Sequence, residues 1–234
     1  MCGFLLVASP AVAIVGESGT DQRLEAQSVM VLKRAKGASG FCTGVVLSER
    51  VVLTAAHCVA GPADTRIHWR GSDDQPVLID VERIVTHPQY RARAPQTRER
   101  SVDLALVRAA RPLPFTAASL SSRDALALGE PVRIAGFGLA RENEARSGGT
   151  FRTGDLVIRA PLSHVLGWAH SADGRKLGAC TGDSGGGMFD ASGDVVGIVA
   201  WTTGRSGRGC GGVTQSILVA PQREWIESVI AGWR

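Results

Sequence analysis

Hydrophobic positions along this chain gather in short runs. Val29–Leu32, Gly44–Leu47, Val51–Leu53, Val77–Val85, Leu104–Val107, Val132–Ile134, Leu156–Ile158, Val195–Ala200 and Ser216–Val219 are rich in apolar and β-branched residues. Glycine, proline, aspartate and serine punctuate the stretches between them. Such runs at such spacing predict strands of an all-β sandwich or barrel. One segment has a different period. Within Pro221–Ile230, Trp225, Ile226, Val229 and Ile230 fall at i, i+1, i+4 and i+5, one face of a helix. A proline at its start suits the first turn, where a backbone N–H has no helical partner anyway. A loose join around Ser121–Arg123 divides the chain into halves, 14–121 and 122–234. No internal sequence repeat is visible.

Composition narrows the class. The 234 residues, 44% apolar and 21% charged, can build a core that does not depend on cross-links. The net charge of +4 is spread along the chain. Its densest run, Arg91 to Arg100, reads as a solvated loop, and without a nucleic-acid motif no nucleic-acid partner is expected. Residues 1–13, MCGFLLVASPAVA, look like the back end of a secretory leader closing on a small-x-small site. The stretch is short and lacks a positive start, so a start upstream of Met1, or an N-terminal strand, are the other readings. No run approaches the ~20 apolar residues of a membrane helix. The five cysteines are Cys2, Cys42, Cys58, Cys180 and Cys210. If Cys2 leaves with the leader, four remain and allow three pairings. Their spacing is not that of a zinc site.

Three segments carry chemistry: Leu53-Thr-Ala-Ala-His57-Cys58, Ser101-Val-Asp103-Leu, and Gly178-Ala-Cys180-Thr-Gly182-Asp183-Ser184-Gly185-Gly186. A serine hydroxyl attacks a carbonyl only when a base takes its proton. Histidine suits that task because its pKa lies near neutrality. A carboxylate on the other ring nitrogen fixes the tautomer and stabilises the imidazolium. The chain order is His57, Asp103, Ser184, one of several orders in which this constellation occurs.

Leu-Thr-Ala-Ala-His-Cys and Gly-Asp-Ser-Gly-Gly resemble the two signature blocks of the trypsin/chymotrypsin family of serine proteases. Ile14-Val-Gly16, Phe41-Cys42, His87-Pro-Gln-Tyr90, Gly136-Phe-Gly138 and Gly197-Ile-Val-Ala-Trp201 extend the resemblance from Ile14 to the C-terminal helix. It implies two antiparallel six-stranded β-barrels followed by a C-terminal α-helix. It implies a secreted serine endopeptidase, extracellular or periplasmic, acting on protein or peptide substrates. His57, Asp103 and Ser184 would be catalytic, with Gly182 and Ser184 N–H groups as oxyanion hole. Cys42 would pair with Cys58, and Cys180 with Cys210. An N-terminal ammonium on Ile14, exposed by leader removal after Ala13, would pair with Asp183. The primary pocket would have Gly178 and Ala179 at its base, Trp201 and Thr202 on one wall and Gly212 on the other. With no charge at the base and Thr202 in place of a usual glycine, cleavage after small to medium apolar residues is expected. The protein is expected to be a monomer with no membrane association after leader removal, and no metal or cofactor is expected.

The chain departs from the family pattern at Gly187, at Phe137 and at Ala200, where a serine usually supports the triad carboxylate. Asp73-Asp74 reads as a turn rather than a calcium loop. A cationic binding protein on the same fold, or an esterase, are the alternative functions. The binding protein is disfavoured because all three triad residues are kept; an esterase would use the same chemistry and is separated by activity on casein against short esters.

Overall fold

The computed structural model describes residues 14–233 apart from 17, 36, 98 and 205. The expected leader, 1–13, lies outside them. Two closed antiparallel barrels make up the fold. The first contains β1 (Ser28–Ala35), β2 (Ala38–Ser48), β3 (Val51–Thr54), β4 (Thr65–Arg70), β5 (Pro76–Thr86) and β6 (Ala105–Ala109). The second contains β7 (Pro131–Gly136), β8 (Arg152–Ile158), β9 (Leu166–His170), β10 (Gly187–Phe189), β11 (Val195–Thr203) and β12 (Val213–Leu218). Their strand orders, β1-β2-β3-β6-β5-β4 and β7-β8-β9-β12-β11-β10, are the same circuit shifted by six strands. The repeat that the sequence hides is therefore present in topology. Closure leaves neither sheet a free edge. The join at 121/122 falls in the connection between β6 and β7.

Val29, Val31, Val52, Ile67, Ile79 and Val107 fill the first barrel, and Ile134, Leu156, Met188, Val196 and Leu218 the second. A further buried cluster joins Leu53 and Leu104 of one barrel to Ile198 and Ile217 of the other, and adds Ile226 and Trp233. It welds the barrels along the line where the site lies. The C-terminal helix spans Arg223–Ala231. Pro221 falls in a 3₁₀ turn, Ala220–Gln222, that leads into it. Asp73 and Asp74 lie in the β4–β5 turn, where Asp73 Oδ1 accepts the Gln75 N–H at 3.1 Å.

Three strands lie outside the apolar runs. In β4, Thr65, Ile67 and Trp69 point one way and three basic residues the other, a period-2 pattern diluted by charge. β9 is Leu-Gly-Trp-Ala-His, and β10 has only three residues.

Candidate active site

β3 and β6 are neighbours, with Thr54 opposite Ala105. His57, three residues beyond Thr54 in a short 3₁₀ turn, and Asp103, two residues before Ala105, therefore emerge from the same barrel end. His57 Nδ1 lies 2.6 Å from Asp103 Oδ2, and the His57 backbone N–H donates to Asp103 Oδ1 at 2.9 Å. Both carboxylate oxygens thus serve His57. Lys33 Nζ donates to the His57 carbonyl and pins the turn from outside.

Ser184 stands three residues ahead of β10 on the second barrel. The Cys42–Cys58 disulfide touches both the histidine turn and the backbone of the serine turn: Cys58 Sγ is 3.7 Å from His57 Nε2 and 3.6 Å from the Ser184 carbonyl oxygen. Its sulfurs are bonded to each other, so the Cys42, His57, Cys58 cluster offers no thiolate to a metal. Closing so short a loop stabilises by roughly 3 kcal/mol in the chain-entropy picture. Among the described residues, Ser184 Oγ and the N–H groups of Gly182 and Ser184 have no hydrogen-bond partner. In free enzymes of this chemistry the nucleophile–base bond often tightens only on binding.

Two glycines are required here by space as well as torsion. Gly182 has φ +98°, and a Cβ there would sit 2.3 Å from the Phe41 ring. Gly185 has φ +84°, and its Cβ would lie 2.1 Å from the Thr43 carbonyl oxygen. Both positions let the nucleophile turn press against the first barrel.

Asp183, between those glycines, is 1% exposed. Gly138 N–H and Cys180 N–H each donate to its carboxyl group at 2.8 Å. Burial nevertheless pushes its pKa up to about 7; the two N–H donors and the Arg152 charge only partly counter this. Ile14 is fully buried against the second-barrel core, and the Gly178 N–H donates to the Val15 carbonyl at 3.2 Å. Within this chain the Ile14 nitrogen is an amide to Ala13, and no hydrogen bond joins it to Asp183.

The residues expected at the primary pocket are brought together, and tightly. Ala179 is fully buried. Its N–H donates to Thr214 Oγ1 at 3.0 Å. Its carbonyl lies 2.9 Å from Thr202 Oγ1, which is also 3.0 Å from the Val213 carbonyl. A Cβ at Gly178 would meet Thr214 Oγ1 at 3.1 Å, and Gly212 N–H donates to Thr203 O at 2.9 Å. The Cys180–Cys210 disulfide ties the same walls.

Beside His57 and Asp103 opens a cleft of about 760 Å³ lined by Tyr90, Leu166, Trp168, Trp201 and Ile217. The Trp168 and Trp201 rings meet edge to face with centroids 6.5 Å apart. Arg100 and Glu99 are exposed at its rim. A register shift between Val199 and Trp201 turns the Trp201 ring into this cleft. Sequence reasoning missed Trp168 because β9 was not seen as a strand.

The sequence model of the family described as Trypsin matches residues 14–226. Trypsin eta of Drosophila erecta is 29% identical over 246 residues, covering 94% of this chain and 91% of its own. Trypsin 5G1 of Aedes aegypti is 29% identical, covering 82% of this chain and 76% of its own. Among solved structures, neuropsin, a serine protease expressed in the limbic system of mouse brain, superimposes with a TM-score of 0.73. It covers 91% of this chain and 98% of its own, at 19% identity.

Proposed function

The chain belongs to the trypsin family of serine proteases, and on that premise we propose that it cleaves peptide bonds through an acyl-enzyme on Ser184, after small apolar residues. The observation that carries the reading is the His57–Asp103 pair, two hydrogen bonds on one carboxylate, with the Ser184 backbone within 3.6 Å of the neighbouring Cys58 Sγ. Ser184 Oγ forms a bond to the scissile carbonyl carbon while its proton passes to His57 Nε2. The carbonyl π pair becomes an oxyanion, which the Gly182 and Ser184 N–H groups receive. When the C–N bond breaks, the departing amine takes that proton from His57. Water, deprotonated in turn by His57, then releases the acid and restores Ser184. Asp103 holds the tautomer that exposes Nε2 and stabilises the imidazolium. A fluorophosphonate probe tests this directly: it labels Ser184 of the wild type and not of Ser184→Ala. Failure to label the purified, folded wild type overturns the reading.

Two disulfides support action outside the cytoplasm. Among the described residues no helix is long and apolar enough to cross a membrane. A secreted monomer acting on peptides or proteins is the proposed working form.

The size limit follows from the lacing around Ala179. A substrate side chain pointing at Gly178 meets the Thr202 hydroxyl first, with no carboxylate beyond it to pair a cation. Burying an unpaired ammonium or guanidinium there is costly. Glycine or alanine before the cut fits, valine and leucine fit less well, and arginine or lysine is refused. Thr202→Gly should open the entrance and raise kcat/KM for leucine relative to alanine about tenfold or more, in line with what one or two methyl groups are worth in an apolar pocket. Peptide-library profiles of both proteins check it. A wild-type profile led by arginine or lysine, or an unchanged profile in the variant, would refute the pocket assignment.

A further inference from the structure

Thr43 lies on β2 of the first barrel and is fully buried. Its backbone N–H donates to the Ser184 carbonyl at 2.8 Å. Its hydroxyl donates to the Gly182 carbonyl at 2.9 Å and accepts the Phe137 N–H at 3.0 Å. Its own carbonyl accepts the Thr54 hydroxyl at 2.7 Å, two residues before the turn that presents His57. One residue of the first barrel is thus bonded to both residues whose N–H groups face the substrate oxygen. It is also tied to the base of the histidine turn.

We propose that the Thr43 hydroxyl is a positioning element for the oxyanion hole, acting through Gly182; this rests on the protease reading above. Gly182 is the weak point of the nucleophile turn. It has no side chain and a left-handed φ of +98°, so nothing of its own fixes how its N–H is aimed. The Thr43 Oγ1–H bond clamps its carbonyl end. The same oxygen receives Phe137 N–H, and the next residue, Gly138, donates to Asp183. The hydroxyl therefore closes a loop of bonds around Gly182 and Asp183, and both its donor and acceptor capacity are used. A valine has the same shape and neither capacity. It would leave a buried carbonyl and a buried N–H unsatisfied, and the turn would shift to find other partners.

The test compares wild type, Thr43→Val and Thr43→Ser on a peptide amide and on two reversible ligands. One ligand is a peptidyl aldehyde, which forms a tetrahedral adduct with its oxygen in the hole. The other is the matching product peptide, which does not. Thr43→Val should lower kcat about tenfold, with KM within twofold, and weaken the aldehyde by the same factor while sparing the product peptide. Thr43→Ser, which restores the hydroxyl, should return kcat to within threefold of wild type. Thr43→Ala gives the same comparison if the valine variant does not fold. Unchanged kcat in the hydroxyl-less variant overturns the proposal. So does a serine variant as impaired as valine, since packing rather than the hydroxyl would then be at work. Equal loss for aldehyde and product peptide overturns it too. If wild type itself neither cleaves nor labels, the protease reading has failed, and this proposal falls with it.

Discussion

Ser184→Ala is expected to lower kcat for a peptide amide by about 10⁶, and His57→Ala by a similar factor, while the fold stays intact. The reason for the size is that the two side chains perform one event. Without the hydroxyl no acyl-enzyme forms, and without the imidazole the hydroxyl keeps its proton. The double variant should therefore be no worse than either single one. Rates that multiply would show that the two act separately. Asp103→Asn should cost about 10⁴, because an amide at that position can donate to Nδ1 and favours the tautomer with the proton on Nε2. Residual catalysis by the oxyanion donors should survive in all of these variants. The fold should tolerate them because Ser184 Oγ makes no hydrogen bond among the described residues, and His57 is only half-buried. The measurements are kcat on a chromogenic peptide and thermal unfolding of each variant. Wild-type rates in either single variant would sink the triad.

The candidate triad could be proposed from the sequence because its residues sit in local blocks. Each member sits in a short block beside a strand: a small turn after β3, the residues just before β6, and a glycine-framed loop before β10. The strands with long apolar runs were legible for a similar reason, since a barrel buries one face of each strand against the core. What the sequence concealed depends on tertiary partners. Thr43 reads as an ordinary β-former, and only the approach of the second barrel to β2 turns its hydroxyl into a clamp on Gly182. Trp168 sits in a strand whose other residues include glycine and histidine, and its role emerges only when β9 lies against β12 and its ring meets Trp201. Thr214, two residues past Gly212, carries no signal until its oxygen receives the Ala179 N–H. Each of these is a contact between segments more than 30 residues apart, beyond the reach of periodicity or turn chemistry.

A chain that begins at Ile14 should be about 10²–10³ more active than one still carrying residues ahead of it, the range set by losing an oxyanion donor. Asp183 is a buried carboxyl group flanked by Gly182 and Ser184, the two residues proposed to supply those donors. In the longer chain the Ile14 nitrogen is a neutral amide, and burial holds the Asp183 pKa near 7, up from 3.8. The folded state then favours the protonated acid. The stability this gives is fully present below the unfolded value of 3.8 and is lost as pH rises through about 7. Ile14 is also held at φ +53°, a left-handed torsion that a β-branched residue rarely adopts. Cutting the bond after Ala13 ends that torsion's restraint, releasing about 1–3 kcal/mol of strain. It also creates an ammonium, whose free pKa is about 7.7–8.0. Pairing with Asp183 keeps the carboxylate ionised and raises the amine. The stabilising pair is then present below the free amine pKa for as long as Asp183 stays ionised, and is lost at alkaline pH as the amine deprotonates. The two chains should therefore respond oppositely to pH. Between pH 4 and 7 the unfolding temperature of the longer chain should fall, and that of the Ile14 chain should not. Above pH 8 the activity of the Ile14 chain should decline, and Asp183→Asn should flatten both trends. N-terminal sequencing of the mature protein, with unfolding and active-site titration across pH 4–10, decides it. A fully active mature protein that starts at another residue, or identical pH profiles for the two chains, would show that Ile14 and Asp183 do not form the switch.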